Sequence, residues 1–193
     1  HNPEPGKKIL ATGNGRCNMT NYTVDNLTPD SIRSRYYAGE DNYPGILSMF
    51  QAFGAKDTVH FFEELGLLSV SRDGYVYPAS GQAVTVRDIL VQELLRAGVR
   101  IEVNSRISSV KVLDDGAGFA VCNKGKDYIF DRVILSCGSY AGISKKDRID
   151  SSVDGYSLAY HLGHKVKKIS PALGGLECDK ERMGVLSGVR ARG

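Results

Sequence analysis

The chain has no apolar run approaching the ~20 residues a helix needs to cross a bilayer, and no signal peptide is visible. No membrane partner and a cytoplasmic location are therefore expected. Neither G-x-x-x-x-G-K-[ST] nor G-x-G-x-x-G occurs anywhere, which excludes the usual nucleoside triphosphate loop and leaves no dinucleotide fingerprint. The four cysteines, Cys17, Cys122, Cys137 and Cys178, form no C-x-x-C pair, which argues against a zinc ribbon or a local redox disulfide and for a reducing compartment. Nothing in the spacing of His60, His161 and His164 brings them toward those thiols, so no metal site is expected. The net charge is only +3, with short basic clusters at Lys145/Lys146 and around residues 165–168. That is a weak footprint for nucleic acid, and none is expected as a partner. Hydrophobic residues at 41% and charged residues at 24% exclude a disordered chain, and 193 residues can bury a sizeable core.

What the chain does have is concentrated near its start, in Gly6-Lys-Lys-Ile-Leu-Ala-Thr-Gly-Asn-Gly-Arg-Cys-Asn-Met-Thr-Asn21. Gly13 and Gly15 lack a Cβ, so the backbone there can take positive φ and approach an anion or a ring closely. Arg16 adds a planar fork of donors, and Asn14, Asn18, Thr20 and Asn21 add neutral hydrogen-bonding groups. The guest that suits such a loop is anionic and polar, as a phosphate-bearing cofactor is. The plainer reading is a solvated loop whose Gly and Asn residues only make turns.

The same residues resemble a known family, the two-domain FAD-dependent oxidoreductases that include aminoacetone oxidase-like and bile-acid flavin reductase proteins. Its pattern here reads G-R-K-[LI]-L-x-[ST]-G-[NG]-G-R-C-N-x-T-N, which residues 6–21 match nearly throughout, with Lys7 in place of the first Arg. The resemblance continues through Phe61-Phe62, Leu65-Gly66-Leu67, the turn and strand at 74–78, Gly98-Val99, residues 133–138, Asp154-Gly-Tyr-Ser-Leu-Ala159, Leu162-Gly-His164 and Pro171-Ala-Leu173. In that family a first βαβ unit of about 30 residues, carrying G-x-G-x-x-G, precedes this loop. The resemblance thus implies an internal fragment: a partial Rossmann-like FAD/NAD(P)-binding domain of α/β class over residues 1–170, lacking its first βαβ unit, and the first strands of an inserted β-rich domain over 171–193. Of such a fragment by itself, weak or no flavin retention and no activity are expected. Glu4 is not assigned the ribose-binding role, which belongs to a residue upstream of His1.

Periodicity supplies the elements. Short helices are expected at 31–37, 46–53 and 56–65, the last closed by Gly66. Residues 75–77 read as a strand. Val86, Ile89, Leu90, Leu94 and Ala97 recur at helical spacing, with Thr85 to cap the start and Gly98 the end. Val99, Ile101 and Val103 alternate as a strand. Runs at 107–113, 119–123 and 128–130, parted by turn-forming residues, make a three-stranded β-meander. Residues 133–135 read as a parallel strand buried on both faces. A helix follows at 152–162, with Tyr156, Ala159 and Leu162 on the packing face and Gly163 as its cap, and short strands at 172–178 and 185–189.

The resemblance implies FAD, with NAD(P)H as the candidate electron donor, and a small-molecule substrate. Its cofactor contacts fall on Lys8, Thr12, Gly13, Asn14, Gly15, Arg16, Cys17 and Asn18, on Ile107 through backbone contact with adenine, and on Cys137 and Gly138. Residues 136–139 sit where open α/β sheets bind ligands, at the carboxyl end of a strand. The family there usually carries A-T-G-G, from which Ser136-Cys137-Gly138-Ser139 departs except at Gly138. Cys17 is either a thiol activated by nearby cations or a small packing residue. No acid, base or nucleophile is assigned. Two other function classes stand beside the flavoenzyme: a non-catalytic nucleotide-binding or scaffolding protein that no longer retains flavin, and a nucleic-acid binder using the Arg-Asn loop.

Overall fold

A computed structural model describes residues 2–36, 38–114, 116–138 and 155–167. The chain divides into two compact units, His1–Ser105 and Arg106–Gly193. The expected α/β character holds in both. Among the described residues no helix is long and apolar enough to cross a membrane.

In the first unit, a 3-10 segment at Ile9–Gly15 leads into a short strand β1 (Thr20–Asn21), a second 3-10 turn (Tyr22–Asn26) and helix α1 (Pro29–Arg35). α1 starts before the expected residue 31 because Thr28 and Ser31 close a reciprocal capping box with Pro29 at the first helical position. Helices α2 (Tyr43–Ala52) and α3 (Ala55–Glu64) follow. The N-terminus of α3 is tied to a segment far away in sequence, since Asp25 Oδ1 accepts from the Ala55 amide at 2.5 Å. A Schellman motif ends α3: Gly66 takes φ +85°, its N–H donates to the Glu63 carbonyl and the Leu67 N–H to that of Phe62.

Strands β2 (Ser69–Arg72) and β3 (Tyr75–Pro78) form a hairpin across Asp73-Gly74, both at positive φ, and β1 pairs on the far side of β3. β2 escaped the sequence reading because Val70 is its one apolar residue and faces solvent. Helix α4 (Ala83–Arg96) then packs under the 3-10 segment of the chain's start. Thr85 does not cap it, contrary to expectation. Gln82 holds the N-cap position, and Thr85 lies inside the first turn with its hydroxyl 2.8 Å from that of Ser80. The helix begins earlier because Ala83 and Val86 are both core residues. Gly98 ends it in the expected way.

Residues 99–103 form no strand. Among the described residues no strand pairs with them, and Val99 and Val103 are 43% and 41% exposed. An alternating sequence becomes a strand only where a neighbour takes up its backbone hydrogen bonds.

In the second unit, β4 (Ile107–Val112), β5 (Phe119–Asn123) and β6 (Lys126–Phe130) form the expected antiparallel meander. β5 and β6 join through Lys124-Gly125, again at positive φ. A bulge interrupts β4 between Ile107 and Ser109. Helix α5 (Gly155–His161) covers the sheet with Leu158, which forms one cluster with Val110 and Val121. The packing face thus centres on Leu158, with Leu162 beside it, rather than on Tyr156. Residues 133–135 are not a strand buried on both faces. Val133 and Leu135 pack on the cluster while Ile134 is 90% exposed, so the apolar run covers one side only. The expected strands at 172–178 and 185–189, and the domain boundary at 170, lie outside the described residues.

This one-sided packing gives a stability contrast. Ile32→Ala, at a fully buried site in α1, is expected to cost about 2–5 kcal/mol of unfolding free energy. Ile134→Ala should stay within about 0.5 kcal/mol of the parent. Urea unfolding midpoints of the two variants decide it, and a large loss at Ile134 would mean the residue has a buried face.

Candidate functional site

The segment at Gly6–Asn21 is built as an outward bracket with apolar feet. Ile9 and Met19, near its two ends, and Cys17 pack on Leu67, Ala83 and Val86, joined there by Phe62, Ile89 and Leu90. Between these feet, residues 11–16 and Asn18 are exposed. The chain leaves the core at Ile9 and returns at Cys17, so the polar residues between have no other place than the surface.

Local hydrogen bonds fix the shape of the bracket. Amides of Ile9, Leu10 and Ala11 donate to the carbonyls of Gly6, Lys7 and Lys8, and the Thr12 hydroxyl donates to the Ile9 carbonyl at 2.6 Å. The backbone then turns sharply. Thr12 is extended, Gly13, Asn14 and Gly15 are all left-handed, Arg16 is right-handed and Cys17 left-handed at φ +59°. Gly15 to Cys17 therefore alternate hand, the arrangement that makes a concave anion-binding nest. The Arg16 and Cys17 amides are engaged inside the turn, by the Gly13 and Thr12 carbonyls at 3.2 and 3.1 Å. An anion at this turn would therefore meet side chains rather than those two amides.

Those side chains divide into two groups. The Asn18 carboxamide, oriented to satisfy its neighbours, donates to the Thr20 and Val76 carbonyls at 2.9 and 3.3 Å. Asn21 Oδ1 accepts from the Thr23 amide at 2.9 Å and caps the following turn. Asn18 thus holds the loop to the sheet, and Asn21 holds the turn that follows. Asn14 and Arg16, by contrast, make no side-chain hydrogen bond or ion pair within the described residues and stand exposed with Lys8 on the outer surface.

The two glycines differ in what they permit. A Cβ on Gly13 would lie 2.9 Å from the Asn18 amide nitrogen, so the loop's own closure requires glycine there. A Cβ on Gly15 would meet only the Leu10 carbonyl at 3.9 Å. The backbone at Gly15 is thus open to an incoming group, flanked by Asn14 and Arg16. These features fit a polar, anionic cofactor.

Cys17 is buried among apolar side chains. Of its two readings, the structure supports the packing residue. The other candidates lie in the second unit. Ile107 opens β4 opposite Asn123 at the bulge and packs on the Val110 cluster. Cys137 is exposed and Gly138 takes φ +79°. A Cβ on Gly155 would stand 3.0 Å from Cys137 Cβ, so α5 starts flush against this turn. Gly155 was visible only as part of a motif, because close approach between segments leaves no local pattern. Among the described residues no three His, Cys, Asp or Glu side chains gather as for a metal ion.

The sequence reading also missed Arg87. Its Nη1 lies 3.0 Å from Glu4 Oε2, which gives Glu4 a partner on α4, and its side chain passes beneath Gly6.

Two matches to known proteins cover most of the chain. The HI0933-like protein Rossmann domain matches residues 1–187. A 3-dehydro-bile acid delta(4,6)-reductase of Clostridium scindens is 40% identical over 186 residues, which cover 96% of this chain and 42% of that protein. The chain spans less than half the length of that curated relative.

Substitution should separate the two glycines. Gly13→Ala combines left-handed strain with a backbone clash, and is expected to lower stability by about 2–4 kcal/mol. Gly15→Ala meets only the conformational penalty, about 1–2 kcal/mol. Thermal unfolding of both variants tests this, and equal losses would show that the Asn18 contact does not constrain the loop.

Proposed function

The chain belongs to the HI0933-like Rossmann-domain family, and on that footing we propose that it forms part of an FAD-dependent oxidoreductase whose cofactor is held along Lys8 to Asn18. One observation carries the reading. A cationic, amide-rich turn is pushed out of the core by Ile9 and Cys17, with its backbone open at Gly15. The reductase relative supports redox chemistry, and the match across nearly the whole chain supports the same use of the fold.

When bound, FAD supplies two-electron chemistry; the protein supplies position and electrostatics. Lys8 and Arg16 offset negative charge on the pyrophosphate or on the reduced cofactor. Asn14 offers a neutral donor and acceptor beside them. Thr12, Gly13 and Asn18 act by holding the turn, and Cys17 by anchoring it. In the second unit, Ile107, Cys137 and Gly138, the last at positive φ, stay the contacts that the family resemblance implies. A reduced nicotinamide is the proposed electron donor and a small organic molecule the acceptor. The relative's substrate makes a steroid-like enone the first class to assay.

The test is the visible absorbance of the purified chain after incubation with excess FAD and removal of free cofactor. A retained flavin band, weakened by Arg16→Ala with a Kd raised about tenfold through the loss of one charge-assisted hydrogen bond, supports the proposal. A folded chain that retains no band would sink the proposal for this chain.

Cys17→Ser provides a second check. It should keep the flavin band while unfolding more easily, because a hydroxyl in an apolar cluster lacks a partner. Loss of turnover at unchanged flavin occupancy would instead give the thiol a chemical role.

A further inference from the structure

The cofactor loop is held from below by a clamp that belongs to α4. Arg87 Nη1 donates to Glu4 Oε2 at 3.0 Å. On its other side the same guanidinium meets Asp88 Oδ1 through Nε at 2.7 Å and Nη2 at 2.6 Å. The guanidinium is thus fixed at both ends, by its own helix and by the segment leading into the loop. Its stem does further work, because a Cβ on Gly6 would lie 2.9 Å from Arg87 Cγ. Gly6, at φ +66°, lets the backbone rest on that stem. The Gly6 carbonyl then receives the Ile9 amide and starts the 3-10 turn from which Lys8 and the rest of the loop project.

We propose that Arg87 is a positioning residue for the cofactor loop, setting through Glu4 and Gly6 where Lys8, Asn14 and Arg16 present their groups. This rests on the reading of that loop as the FAD site. Two carboxylates face the one guanidinium, so Arg87 adds no attractive field for an anionic ligand, and its effect on binding is geometric. The Arg87 side chain is 20% exposed and those of Glu4 and Asp88 are 58% and 53% exposed. Ion pairs at such exposure contribute little to global stability. Their consequence is local: they hold one segment closed against opening.

The experiment uses the 193-residue chain and two variants that break the clamp from opposite sides, Arg87→Ala and the exposed Glu4→Ala. Limited trypsin digestion, followed by mass spectrometry, reads loop opening as the rate of cleavage after Lys7 and Lys8 without any cofactor. Both variants are expected to raise that rate about tenfold. FAD Kd should rise by a similar factor of about ten, while Glu4→Ala moves the melting temperature by no more than about 3 °C. The double variant should be no weaker than Arg87→Ala alone, because both remove one shared interaction. Arg87→Lys, which keeps a cation but not the fork, should fall between parent and Arg87→Ala. Parental cleavage rates in both single variants overturn the proposal, whatever happens to FAD, and so do fully additive effects on Kd. Failure of the parent chain to bind FAD would overturn the flavin reading instead, while the cleavage rates still judge Arg87.

Discussion

The contact on which the first unit depends is the burial of Cys17 against Ala83, Val86 and Leu67. It joins three segments: the loop near the chain's start, the end of α3 and the first turns of α4. Remove that contact and the glycine-rich turn loses its one buried foot, leaving only the partly buried Ile9 and Met19 to hold it. The outward display of Asn14 and Arg16 is therefore a consequence of apolar packing behind them. The left-handed backbone at Gly13, Asn14, Gly15 and Cys17 is tolerated because the feet on either side are pinned.

The same logic explains the division of labour within the loop. Polar side chains that look equivalent in the sequence are unequal in space. Asn18 and Asn21 face β3 and the following turn, where backbone groups engage them. Asn14 faces solvent beside an open backbone. Asp25 caps α3 across a gap of thirty residues in sequence, and Glu4 is held by Arg87 from the opposite end of the unit. Each such pairing depends on where α3 and α4 lie, so no local pattern could have announced it.

Much of the secondary structure was legible, for identifiable reasons. The glycines that end α3, α4 and α5 were visible because each helix closes in a Schellman motif that favours a residue without a Cβ at the left-handed position. The meander was visible because alternation and a Lys-Gly turn coincide. The failures share a cause as well. Residues 99–103 and 133–135 carry strand-like patterns, but pairing partners and a second covering layer are properties of neighbours. Among the described residues those neighbours are absent, and the segments run on as extended chain with one apolar side.

By itself, then, the sequence determined the family and the class of fold, because a long run of specific residues from Gly6 to Asn21 constrains both together, and it singled out that stretch as the proposed cofactor loop. Tertiary structure decided which of those residues face outward. It assigned Cys17 to the core, Asn18 and Asn21 to the backbone, and Asn14 and Arg16 to the surface. It also recruited Arg87, 83 residues from its partner Glu4 in the chain, as a support for the loop. The physical reason is that side-chain type follows from covalent chemistry, while direction and partnership follow only from which elements pack against each other.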